Sequence, residues 1–168
     1  MVPDNAEFDV IVEDERWTSA LGDVAAFADE CRAATRARVA AVGGGAALLF
    51  ADDATLRDLN HRYRGFDKPT NVLSFPAIGA DGSGAAFMGD IAFAYETCAR
   101  EAEEQGVAFR DHAAHLLVHG LLHLAGFDHE ADDDAERMES LETEILARLG
   151  VGDPYAAPRA APIDGGGR

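Results

Sequence analysis

Hydrophobic positions along this chain recur with periods that alternate between strand and helix. The run Phe8 to Val12 (FDVIV) predicts a short first strand. From Ser19 to about Ala41, Leu21, Val24, Phe27, Ala28, Cys31 and Ala34 fall at helical spacing, and Gly43-Gly44-Gly45 ends that helix. Ala46 to Phe50 reads as a buried strand. Asp52 or Asp53 then caps a helix through Leu56, Leu59 and Tyr63, which Pro69 breaks. Asn71 to Phe75 predicts a third strand stopped by Pro76, Gly79 to Gly84 an exposed loop, and Met88 to Ala94 a fourth strand. Helices follow over Glu96 to Gln105, Arg110 to Ala125 and Asp132 to Leu149, the last with Met138, Leu141, Ile145 and Leu149 inward.

Four short strands interleaved with about five helices, without internal repeats, make a mixed α+β or α/β domain. It spans residues 1–150 of a chain of ordinary single-domain length. Residues 151–168 are rich in Pro, Ala and Gly and predict a disordered tail. Phe66 and Phe75 read as core aromatics, with an exposed stacking role the alternative.

Composition narrows the class. No apolar run approaches the ~18 residues of a membrane span, and Met1 to Asp9 has acids but no basic segment, so a cytoplasmic protein is expected. Cys31 and Cys98 lie far apart and predict reduced, buried thiols. The net charge of −17 argues against nucleic-acid binding by bulk electrostatics. The charge is uneven, however. Arg57, Arg62, Arg64 and Lys68 fall within one short stretch, while Asp132, Asp133, Asp134, Glu136, Glu139, Glu142 and Glu144 crowd the C-terminal third.

The candidate chemistry lies in the histidines, of which His112, His115, His119, His123 and His129 fall close together. On a helix the first four project within about 80° of one another. The other faces carry Ala113, Leu116, Leu117, Val118, Leu121, Leu122 and Leu124, so the helix is apolar all round and buried, and its imidazoles line an interior surface or cleft. The pair His119 and His123 can offer two nitrogens to one metal. Gly126 permits the left-handed turn that ends the helix and brings His129 back as a third ligand. Three neutral nitrogens with one open position is the donor set of a catalytic zinc.

The stretch HGLLHLAGFDH, residues 119–129, matches the metzincin pattern HExxHxxGxxH in its histidines and glycine, but Gly120 replaces the glutamate that serves there as general base. Activation of water then falls mainly to the metal, with His115 a further base or a substrate holder. Asp128 either orients a ligand imidazole or caps the turn.

In Leu59 to Pro76, Arg62, Arg64 and Lys68 stand beside a strand opening. An arginine fork suits phosphate oxygens, and Arg64 is the candidate; salt bridges to Asp58 and Asp67 are the alternative for Arg62 and Lys68.

Three blocks in order, YRGFDKPTNVLSFP (Tyr63 to Pro76), MGDIAFA (Met88 to Ala94) and HLLVHGLLHLAGFDHE (His115 to Glu130), resemble the YbeY-type rRNA-maturation endoribonucleases of bacteria. The resemblance covers roughly residues 8–150. It implies an α+β fold with a mixed four-stranded sheet. It also implies one zinc ion held by His119, His123 and His129 at the end of a buried helix, with Arg64 as the functional arginine. The implied activity is metal-dependent cleavage of single-stranded RNA, in 16S rRNA 3'-end maturation and ribosome quality control. The small ribosomal subunit and its assembly factors are the implied partners. The competing readings are a zinc peptidase or amidase with an atypical base, and a non-catalytic assembly factor whose metal is structural.

Overall fold

The computed structural model describes residues 8–40, 42, 44–77, 87–127 and 132–155. The expected loop over Gly79 to Gly84, together with Asp128, His129 and residues 156–168, lies outside them.

Four strands and six helices make up the described α+β domain. They are β1 (Phe8–Val12), α1 (Arg16–Leu21), α2 (Val24–Arg38), β2 (Gly45–Ala51), α3 (Asp53–Arg64), β3 (Val72–Pro76), β4 (Phe87–Ala94), α4 (Tyr95–Gln105), α5 (Phe109–Leu124) and α6 (Asp132–Arg148). The sheet is mixed, in the order β1-β2-β4-β3. The pairs β1/β2 and β2/β4 are parallel, and β3 returns antiparallel to β4 as an edge strand.

Most boundaries shift by a residue from the sequence reading, and two of the differences have a clear physical cause. The single helix expected from Ser19 is two, because Gly22 takes φ +80° and the Asp23 carboxylate accepts the amide of Ala26 at 3.0 Å, restarting the helix as an N-cap. Pro76 does not stop β3. It pairs with Gly89 at the edge, where a missing N–H is tolerated, and Ala77 donates onward to Met88 at 2.9 Å. Asp52 is the residue that caps α3, accepting the Thr55 amide at 2.9 Å.

The pleat of β4 sorts its side chains onto two faces. Ile91 and Phe93 join the main core with α2, α5 and α6, whereas Ala92 and Ala94 join Leu56 of α3 on the opposite face. Trp17 of α1 is fully buried among the rings of Phe50, Phe93, Tyr95 and Phe109, and donates its indole N–H to Ala51 at 2.8 Å. Burial and not capping holds α5 in place. It has no side-chain N-cap, but Leu117, Val118, Leu121 and Leu122 are fully buried, each leucine contributing about 1.5–3 kcal/mol.

Two glycines set how closely α5 approaches the sheet. At Gly120 a Cβ would lie 3.1 Å from two carbons of Ile91 and 3.3 Å from Ser74 Oγ. At Gly89, with φ +145°, it would lie 2.3 Å from the Phe75 carbonyl oxygen and 2.9 Å from Leu124 Cδ2. The C-terminal half of α5, which carries His119 and His123, therefore rests against β4 and edge strand β3.

Candidate metal centre

The four helical histidines divide into two sets. His112 lies edge-on to His115, ring centroids 6.2 Å apart, but its Nε2 is taken by another helix. It is buried, with Nε2 2.8 Å from Glu101 of α4, and the same carboxylate accepts Asn71 Nδ2 at 3.0 Å. That junction ties α4 and α5 to the start of β3. His115, His119 and His123 form the second set, partly exposed along one line, with adjacent ring centroids at 6.3 and 4.5 Å.

His119 and His123 meet through their Nε2 atoms, 3.0 Å apart. Their Nδ1 atoms point elsewhere: that of His119 lies 2.5 Å from Glu142 Oε2, and that of His123 lies 3.1 Å from the Phe127 carbonyl oxygen. A carboxylate and a carbonyl are acceptors only, so both Nδ1 atoms donate. With both rings neutral, each Nε2 then presents a lone pair to the other. Two lone pairs so placed suit a shared cation. Two nitrogens on one tetrahedral zinc, each at ~2.0–2.1 Å, stand roughly 3.3 Å apart, close to the observed spacing. Hydrogen bonding of the far ring nitrogen to carboxylate or carbonyl is also the usual support of ligand histidines. Among the described residues no group of three His, Cys, Asp or Glu suited to a metal occurs. The turn after α5 forms as expected, with Gly126 at φ +103° and Phe127 donating back to Leu122 at 3.0 Å. The third expected ligand, His129, falls outside the described residues.

Glu142 escaped the sequence reading, where it counted as one of many C-terminal acids. Its side chain is 1% exposed. It takes His119 on one oxygen, and His115 Nε2 (3.1 Å) and the Tyr155 hydroxyl on the other. Burial alone would raise the pKa of this carboxylate, but the hydrogen bonds from His115, His119 and Tyr155 outweigh it and hold the value at about 2. The phenol of Tyr155 is pushed well above its ordinary value by partial burial and by the carboxylate it faces. The signal for Glu142 was in the pattern. It stands one helical turn from both Met138 and Leu146, on the face of α6 that is buried. Tyr155 lies past the expected boundary at Gly150, and Val151 also packs on the core.

Among the described residues Arg64 makes no contact with the histidines of α5. It is exposed at the C-terminal end of α3 and has no ion pair among the described residues. Its neighbour Tyr63 packs edge-on against Phe75 of β3, ring centroids 5.5 Å apart. Arg62 pairs with Asp58 at 3.4 Å and Arg57 with Asp67 at 2.7 Å, while Lys68 lies over the Phe66 ring at 5.8 Å. Phe66 is not core as expected: it is 55% exposed beyond the Gly65 helix stop, where no helix covers it, and Tyr63 is 63% exposed.

An imidazole row on a buried helix, backed by an ionised carboxylate and set against a mixed sheet, is the candidate site of this α+β domain. The family model for endoribonuclease YbeY matches residues 4–150. A protein named endoribonuclease YbeY from Methylocella silvestris is 49% identical over 94% of this chain and 90% of its own length. A protein of the same name from Paracoccus denitrificans is 47% identical over 88% of each. The solution structure of TM1509 from Thermotoga maritima superposes with a TM-score of 0.57 over 92% of this chain and 99% of its own, at 19% identity, which speaks for the fold. The chain belongs to the endoribonuclease YbeY family, a family of hydrolytic nucleases. No described helix is long and apolar enough to cross a membrane.

Proposed function

We propose that this protein is a cytoplasmic, zinc-dependent endoribonuclease that cuts single-stranded RNA, acting in 16S rRNA 3'-end maturation and ribosome quality control. One zinc is held by His119, His123 and His129. The observation that carries this reading is the facing pair of Nε2 atoms, 3.0 Å apart, on rings whose Nδ1 atoms are both engaged as donors. A zinc ion bound there would polarise a phosphoryl oxygen and lower the pKa of a bound water to about 7.

The chain's own groups supply the rest. Arg64, exposed and without an ion pair among the described residues, is available to neutralise charge growing on phosphate oxygens. Neighbouring Tyr63 and Phe66 offer exposed ring faces on which unpaired bases can stack. A duplex keeps its bases from such rings, which favours single strands. His115 acts through Glu142 in this reading and not as a free base, because its Nε2 is committed to that carboxylate. Cations and rings in one segment reconcile an acidic chain with an RNA substrate; small-subunit proteins and assembly factors are the partners that would add affinity.

The test is metal analysis of the purified protein, followed by incubation with single-stranded RNA, duplex RNA and casein. One zinc per chain, lost in His119→Ala, and cleavage confined to single-stranded RNA are expected. Cleavage of casein alone, or full RNA cleavage by the zinc-free protein, refutes the reading.

A further inference from the structure

We propose that Glu142, braced by Tyr155, is a positioning residue that locks His119 as the Nδ1–H tautomer and aims its Nε2 into the centre. This inference deepens the metal reading above.

A neutral imidazole can carry its proton on either nitrogen, and the partner of one nitrogen decides the matter. Glu142 Oε2 lies 2.5 Å from His119 Nδ1, so the proton is held there and the Nε2 lone pair is left for the site. The same contact fixes the ring's rotation, which a helix surface alone would leave free. Oε1 accepts from His115 Nε2 at 3.1 Å and from the Tyr155 hydroxyl, which itself stands 3.2 Å from His115 Nε2. Three donors from α5 and the C-terminal segment thus converge on one carboxylate from α6.

A packing role alone does not account for this residue. Position 142 lies on the buried face of α6 with Met138, Ile145 and Leu146, where an apolar side chain would fill the space without the cost of desolvating a charge. Both oxygens are instead used on the histidine row and its tyrosine. Tyr155 is in turn held by its own amide, which donates to Asp153 Oδ1 at 2.8 Å, and Thr143 Oγ1 of α6 donates to the same oxygen at 3.3 Å. The segment after Gly150 therefore forms part of the centre's support.

The test uses the full chain, Glu142→Gln and Tyr155→Phe. The first readout is the ring 15N shifts of His119 in zinc-free protein, the second zinc affinity by competition with a chromophoric chelator, and the third the melting temperature. The wild type should show His119 protonated on Nδ1. Glu142→Gln should lose that preference and bind zinc about 10–100-fold more weakly, the usual effect of removing such a support. Tyr155→Phe should weaken zinc binding by a smaller factor with its melting temperature unchanged. A wild-type His119 protonated on Nε2 would overturn the proposal. So would a Glu142→Gln protein that melts earlier yet binds zinc like wild type. If Glu142→Gln fails to fold, the wild-type tautomer and Tyr155→Phe decide. If the wild type binds no zinc, the metal reading fails while the tautomer still judges this one.

Discussion

Replacing Gly89 by alanine tests how tightly β3, β4 and the end of α5 are locked together. The added Cβ meets main chain and not a yielding side-chain tip: the Phe75 carbonyl oxygen at 2.3 Å and Pro76 Cα at 2.9 Å, with Leu124 Cδ2 also at 2.9 Å. The residue also sits at φ +145°, a conformation that L side chains rarely adopt. Backbone strain of that kind costs about 1–3 kcal/mol. Overpacking against fixed neighbours costs about 1–3 kcal/mol more, and the gain from a stiffer unfolded chain returns only about 0.4–1 kcal/mol. The net destabilisation is then roughly 1–5.6 kcal/mol, which for a domain of this size lowers Tm by roughly 2–22 °C. Thermal melts followed by far-UV circular dichroism measure it. A variant that melts within about 2 °C of wild type would show that the strands separate freely here, and the reasoning would be wrong. Because Leu124 follows His123, zinc affinity should fall in the same variant.

Other outcomes follow from the same geometry. The Glu101 carboxyl is half-buried, which raises its pKa, but hydrogen bonds from His112 and Asn71 more than compensate and hold it below its ordinary 4.5. A depressed carboxylate stabilises the fold above that ordinary value and loses its contribution as pH falls through the lower folded value. Glu101→Gln should therefore flatten the decline of Tm on the acid side of pH 4.5, and a decline as steep as wild type would count against the junction. Burial pushes the Cys31 thiol up to about 12 and raises Cys98 as well, so a thiol reagent at neutral pH should label the native protein slowly and both cysteines promptly in urea. Replacing both Tyr63 and Phe66 by alanine should weaken binding of single-stranded RNA about tenfold or more, since each stacked base is worth ~1–3 kcal/mol, and should leave Tm near wild type; unchanged affinity would remove these rings from the RNA surface.

The strands and long helices were legible because burial imposes their period directly. β1 spans Phe8–Val12 as read, and α5 differs by one residue at each end. The break at Gly22 was harder to see, since the apolar spacing from Leu21 to Val24 continues across it and only the Gly-Asp pair betrays a restart. At the site, spacing alone paired His119 with His123. It could not show that His112 is committed elsewhere, because its partner Glu101 is a residue on another helix. Glu142 was hidden among acids of the same kind, most of them on the solvated side of α6. A carboxylate in line with Met138 and Leu146 needs the tertiary partners before its purpose is visible. Phe66 was misread because hydrophobicity marks what prefers to be covered, and the turn after Gly65 offers no cover.

The glycine at position 120 bears on what this scaffold could be made to do. Where a metzincin keeps its general base, a Cβ on this helix would press to 3.1 Å from Ile91 and 3.3 Å from Ser74 Oγ, so those side chains would have to give by a few tenths of an ångström. Restoring the protease motif by one substitution would drive a carboxylate into the hydrocarbon of β4. A route from this nuclease to peptide hydrolysis would first have to repack Ile91 and Ser74, disturbing the layer that orients the imidazoles it meant to reuse.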